Sequence, residues 1–252
     1  MRSVLSRFLA TSIVAAATGA GLVAIAAPAH ADSVPASEML NSLDVATEKN
    51  SPAYGRDLFK LWVDADGDGC DARAEVLIAE SATDVTYSSG CTVAGGSWTS
   101  YYDNVVWTVA GDVDIDHLVP LQEVWQSGAT TWTAERREAY ANDLGFEGTL
   151  VAVTDNLNSS KGSKDYAEWV PPEADAQCRY AYEWIQVKTR WDLAVDSAEK
   201  GALATQVEAC GDDGIGVPPG GGGSTAAASA GLTGSGLIGR HSVADGEWLN
   251  SV

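Results

Sequence analysis

The chain has 252 residues, of which 15 are Lys or Arg and 35 are Asp or Glu, giving a formal net charge of −20. That acidity excludes binding nucleic acid through a broad basic face, because the phosphates would be repelled, but it is compatible with a nuclease that holds one phosphate through a metal ion. Of the three histidines, His30 and His241 lie towards the two ends and only His117 falls in the body, so a zinc site built on two or more histidines is excluded.

In chain order, Arg2 and Arg7 precede an apolar run from Ala10 to Ala27 that closes on Ala29-His30-Ala31. This pattern predicts a signal peptide over 1–31, cut before Asp32, and a secreted, extracellular product with no membrane attachment. A membrane anchor is the weaker reading, because Gly and Ala dilute the run and a small-residue site ends it. Residues 32–51 read as a flexible N-terminal segment and 52–210 as the body. Tyr54–Val63 reads as a helix carrying Phe59, Leu61 and Trp62, and a second helix begins near Ala72 with Val76, Leu77 and Ile78. Val105–Val109 has strand character. Asp112–Asp116 alternates strictly, with Val113 and Ile115 on one face and three aspartates on the other. Thr133–Asn142 reads as helix, Thr149–Thr154 as strand, and Asn156–Lys164 as a short helix entered through Asp155. Cys178–Trp191 reads as an aromatic helix, and Asp196-Ser-Ala-Glu199 is a capping box that opens a final helix to about Ala209. From 211 to 252 the composition predicts a Gly-rich linker (217–224) and a disordered tail. Most of the nine tryptophans read as core rather than as a carbohydrate-binding stripe.

Cys70, Cys91, Cys178 and Cys210 allow three disulfide connectivities in an exported chain. Cys70–Cys91 with Cys178–Cys210 is favoured, since it closes the shorter loops. A four-cysteine zinc site lacks the usual C-x-x-C pair.

Asp112-Val-Asp-Ile-Asp-His-Leu-Val-Pro-Leu121 carries the chemistry. A neutral imidazole is the natural base near pH 7, and the adjacent carboxylate suits a hard cation. Alternation sends Asp116 and His117 to opposite sides, so the strand end must bring them back to one site. Downstream, Asn158 and Lys161 lie three apart on one helical face, an amide oxygen for a metal and an ammonium for a phosphate.

A strand ending in Asp-His, then a strand and a helix bearing Asn-x-x-Lys, resembles the HNH (ββα-metal) endonucleases. Tyr54-Gly-Arg-Asp, Gly69-Cys-Asp-Ala-Arg73-Ala-Glu-Val-Leu77, Trp132…Arg137…Ala141-Asn-Asp143, Glu168-Trp-Val-Pro-Pro172 and Cys178-Arg-Tyr180 extend the likeness. It points to secreted actinobacterial HNH proteins related to the C-terminal domain of GmrSD-type restriction enzymes. The resemblance implies an α+β fold, a ββα-metal core with added helices, stapled by disulfides. It also implies His117 as general base, Asp116 and Asn158 as ligands of Mg²⁺ (Mn²⁺ as the substitute), and Lys161 as a catalytic residue touching phosphate. The substrate would be nucleic acid, DNA before RNA, cut with little sequence preference by a monomer to leave 5′-phosphate and 3′-hydroxyl ends. One departure stands out: Thr149 occupies the place of the motif's middle asparagine, which braces the histidine loop, so the orientation of His117 must rest on another group.

Asp64-Ala-Asp-Gly-Asp-Gly-Cys-Asp-Ala-Arg-Ala-Glu75 matches the EF-hand calcium pattern, with Asp64, Asp66, Asp68, Cys70 and Glu75 at ligand positions for a structural Ca²⁺. Asp71 stands where an apolar residue is usual. Arg73 and Arg137 are expected to pair with acids rather than substrate. The rival function is a non-catalytic, calcium-stabilised secreted binding module. A serine hydrolase is disfavoured by the missing G-x-S-x-G elbow.

Overall fold

The protein is described by a computed structural model over residues 33–221. The expected signal peptide and most of the expected linker and tail lie outside the described residues. The chain enters through β1 (Ser33–Pro35) and α1 (Ala36–Ser42). Ala36, Met39 and Leu40 recur at helical spacing and are buried, so the segment expected to be flexible, 32–51, contains a packed helix at Ala36–Ser42.

Residues 54–63 are also corrected: only Arg56–Leu58 forms a single 3₁₀ turn. Side chains from elsewhere capture the backbone groups that a helix would need. Arg137 Nε donates to Leu58 O (3.0 Å), Asn142 Nδ2 to Lys60 O (2.8 Å), and Val63 N to Asn142 Oδ1 (2.8 Å). Trp62 takes φ +55°, a left-handed backbone foreign to an α-helix.

The second expected helix is present as α2 (Ala72–Glu80), capped by Asp71, whose side chain accepts from Ala74 N. β2 (Thr86–Ser89), β3 (Thr92–Ser100) and β4 (Val105–Val109) form an antiparallel sheet in that order; of the three, the sequence pattern marks only β4. The alternating aspartate stretch forms β5 (Val113–His117), one residue later than expected, with Asp112 in the preceding turn. Next along the chain are α3 (Leu121–Ser127), α4 (Ala134–Ala141), β6 (Leu150–Thr154) and α5 (Asp155–Lys161). α5 stops short of Lys164 because Gly162 turns to φ +60°. α6 (Ala174–Trp191), α7 (Ser197–Cys210) and β7 (Gly214–Gly216) complete the chain. The capping box of Asp196 and Glu199 is formed as expected.

This is a mixed α+β fold. β5 and β6 pair antiparallel from Val113↔Thr154 to His117↔Leu150. All five residues of β6 are buried, because a core lies on each side of it. Leu150 and Ala152 join Val113, Ile115, Leu77 and Trp98 in the smaller core; Val151 and Val153 join Tyr180, Trp184 and Trp191 in the larger one. β1 pairs with β7, tying the two ends of the described chain together. The favoured disulfides are both present, with Cα separations of 5.1 Å for Cys70–Cys91 and 5.6 Å for Cys178–Cys210. No helix among the described residues is long and apolar enough to cross a membrane.

Candidate active site

A cleft of about 320 Å³ opens beside the end of β5, and Asp116, His117 and Asn158 all line it, with Tyr54, Arg56 and the start of α3. The alternation problem is solved by position, since His117 is the last residue of its strand. The chain then turns away, held by Leu118 N donating to Thr149 O (3.1 Å).

The His117 ring sits between Trp62 and Tyr140, with centroids 5.8 and 6.0 Å away, and its Nε2 lies 3.0 Å from Ala141 O. A carbonyl can only accept, so Nε2 carries the proton and Nδ1 is the basic nitrogen. Burial lowers the His117 pKa to about 4, so the ring is neutral at physiological pH.

Ala141 ends α4, and Asp143 fixes the turn after it. The Asp143 carboxylate accepts from Thr149 Oγ1 (2.9 Å), Trp191 Nε1 (2.9 Å), Arg190 Nε (2.7 Å) and Arg190 Nη2 (2.8 Å). Thr149 therefore supports the histidine through its carbonyl and through Asp143. In the sequence, the string Ala141-Asn-Asp143 is the only signal of this group.

Asp116 is buried. Tyr102 Oη donates to its Oδ2 (2.7 Å), and Lys161 Nζ lies 2.8 Å from the carboxylate. Burial raises the Asp116 pKa and lowers that of Lys161, with the charge of each partner opposing the shift. Lys161 also donates to His117 O (2.9 Å) and has no exposed surface. An ammonium so enclosed does not reach a phosphate in the cleft. The phosphate role read from the sequence is replaced by one in which Lys161 ties the Asp116 carboxylate to the main chain of His117.

Asn158 Nδ2 donates to Asp114 Oδ2 (3.0 Å), which commits the amide nitrogen and turns the acceptor Oδ1 away from Asp114. Sequence reasoning missed Tyr102 and Asp114 as partners; the alternation of 112–116 is the only local signal for Asp114.

Further support comes from a buried triad. Lys188 Nζ donates to Glu123 Oε1 (2.6 Å), Glu199 Oε2 (3.0 Å) and Ala194 O (2.9 Å). The triad joins α6, α7 and α3, whose first residues form a wall of the cleft. Arg73 and Arg137 both bond backbone carbonyls, at Ala110 and Val113 and at Leu58 and Trp132. They are structural as expected, though their partners are not acids.

In the 64–75 loop, Asp64, Asp66 and Asp68 can converge on one point, as can Asp68, Cys70 and Glu75. Cys70 is spent in its disulfide, and no helix enters the loop from the N-terminal side, so it is not a complete EF-hand. None of these residues lines the cleft. A larger cavity of about 540 Å³ contains none of the candidate residues, and its walls carry Asp44, Glu48, Glu123 and Asp196, which would repel a phosphate.

The family model described as GmrSD restriction endonucleases, C-terminal domain, matches residues 68–206. An uncharacterized secreted protein of Arthroderma benhamiae is 42% identical over 175 residues, spanning 69% of this chain and 84% of that protein. That relative is fungal, so the likeness is not confined to the actinobacterial proteins expected from the motifs. No solved structure matches the chain. With more than half of its length inside the match, the chain belongs to the family of GmrSD restriction endonuclease C-terminal domains, a nuclease-type family.

Proposed function

We propose that the protein is a secreted, metal-dependent endonuclease of the HNH type that hydrolyses phosphodiester bonds of nucleic acid, DNA in the first instance, as a monomer with little sequence preference. The observation that carries this reading is that Asp116, His117 and Asn158 line one cleft, with the imidazole neutral and its tautomer set by Ala141 O. The order β5, β6, α5, and the placement of these residues on β5 and α5, agree with a ββα-metal core. Extracellular action is supported by the fungal relative, itself described as a secreted protein.

The donor set fits a hard cation. Asp116 keeps acceptor capacity beyond its bonds to Tyr102 and Lys161, because a carboxylate offers about four lone-pair sites, and Asn158 offers an amide oxygen. Two oxygen donors suit magnesium or manganese. An ion bound there would neutralise charge gathering on the phosphate and the leaving oxygen.

The protein's own residues supply the rest. His117 Nδ1 takes a proton from the water that attacks phosphorus, the phosphorus–O3′ bond breaks, and the leaving O3′ takes a proton from solvent, giving 5′-phosphate and 3′-hydroxyl ends. A phosphate anion entering the cleft raises the basicity of the buried ring, since opposite charge favours the protonated form. Lys161 and Tyr102 hold Asp116, and Ala141 O keeps the proton on Nε2.

Plasmid digestion by the mature chain tests this. Nicking with magnesium should vanish in EDTA and fall at least about 100-fold in His117→Ala. Undiminished nicking by that variant, or no cleavage with magnesium or manganese, would overturn the proposal and favour the non-catalytic secreted binding module.

A further inference from the structure

Six arginines fall among the described residues, and five are committed to the fold. Arg73, Arg136 and Arg137 donate to backbone carbonyls, Arg179 pairs with Glu183, and Arg190 pairs with Asp143. Arg56 differs. It is exposed, and among the described residues no carboxylate lies within ion-pair distance of it. Its side chain lines the cleft beside that of Tyr54. Of the residues lining the cleft with Asp116, His117 and Asn158, it is the only lysine or arginine.

We infer that Arg56 is the phosphate-binding residue of the cleft, taking a phosphate group of the nucleic-acid backbone seated beside His117. The inference rests on the phosphodiesterase reading above and names how that site holds its substrate. Two observations support it.

The segment bearing Arg56 is fixed on both sides. Trp125 Nε1 donates to Pro52 O (2.9 Å), Arg137 Nε holds Leu58 O, and Phe59 is buried edge-on against Trp125. A side chain with no structural bond of its own to a carboxylate or carbonyl is thus presented from a rigid base. Secondly, a polyanion approaching a chain of net charge −20 needs local positive charge, and Lys161 is buried and paired. A planar guanidinium matches two phosphate oxygens, which an ammonium does not. Arg56 lies upstream of the family match at 68–206.

The test uses the mature chain and its Arg56→Gln and Arg56→Lys variants, with melting temperature as the control for folding. Two quantities are read: kcat/KM for a short duplex with magnesium, and affinity for a fluorescein-labelled oligodeoxynucleotide in EDTA across a salt series. For Arg56→Gln, kcat/KM and affinity should each fall about 10- to 100-fold. The salt slope should drop by about one phosphate contact. Arg56→Lys should recover part of the loss.

Cleavage by the wild type that is unchanged in Arg56→Gln would overturn this inference and leave the nuclease reading standing. Arg56-dependent oligonucleotide binding without any cleavage would support the phosphate site and overturn hydrolysis. Absence of both cleavage and Arg56-dependent binding would overturn both.

Discussion

Replacing Lys161 by methionine separates a lysine that touches substrate from one that holds the site together. In the fold its ammonium is fully buried, 2.8 Å from Asp116 and 2.9 Å from His117 O. Methionine is close in volume but leaves the buried Asp116 carboxylate with Tyr102 alone and the carbonyl without its donor. Removing one partner of a buried ion pair costs about 3–5 kcal/mol. In a domain of this size each kcal/mol lowers Tm by roughly 2–4 °C, so a fall of about 6–20 °C is expected by circular dichroism at neutral pH. Adding Asp116→Asn removes the orphaned charge and should recover part of the loss, although the double variant should not cleave. A Lys161→Met protein that melts within about 2 °C of wild type, with only a raised KM, would refute the reasoning and return Lys161 to the substrate.

Asp143→Ala strips partners from Arg190, Trp191 and Thr149 and loosens the turn behind Ala141 O. It should lower kcat at least about 10-fold with little change in KM, as expected for a misplaced base; unchanged kcat would sever Asp143 from the site. Glu199 is raised to about 7 mainly by burial, with bonds from Lys188 and Trp184 opposing the shift. The folded chain therefore keeps this proton to higher pH than the unfolded chain, and stability falls as pH rises from about 4.5 to about 7, by on the order of 3 kcal/mol. Glu199→Gln should flatten that part of the Tm–pH curve, and parallel curves would contradict the assignment. Calcium at about 10 mM should raise Tm by roughly 3–10 °C if loop 64–75 binds with the affinity usual for extracellular modules; an unmoved Tm removes the ion from that loop.

Much of the site is legible in the sequence because its signals are local. The period-2 alternation marks β5, the capping box marks α7, and the Asp-His and Asn-x-x-Lys spacings mark the residues that the fold brings to one cleft or its floor. The features that stay hidden depend on distant partners. The stretch 54–63 has helix-compatible residues, but Asn142 and Arg137 arrive from far along the chain to take its backbone. Lys161 sits in a polar string that reads as reaching for a phosphate, and only the arrival of Asp116 from β5 explains its burial. The support of His117 by Ala141 uses a main-chain oxygen, which any residue supplies and no side chain advertises. α1 begins at Pro35 without a side-chain cap, so the usual start signal is missing.

The pairing of β1 with β7 has a kinetic meaning. The first strand of the described chain finds its partner only in the last, so a polypeptide delivered N-terminus first, from a ribosome or through a membrane pore, cannot complete this sheet until nearly all of it has emerged. α1 and its buried Met39 and Leu40 must likewise wait for the late helices they pack against. Such a chain stays unfinished during delivery, and closure of the β1–β7 pair would be the step at which the described fold becomes resistant to proteases.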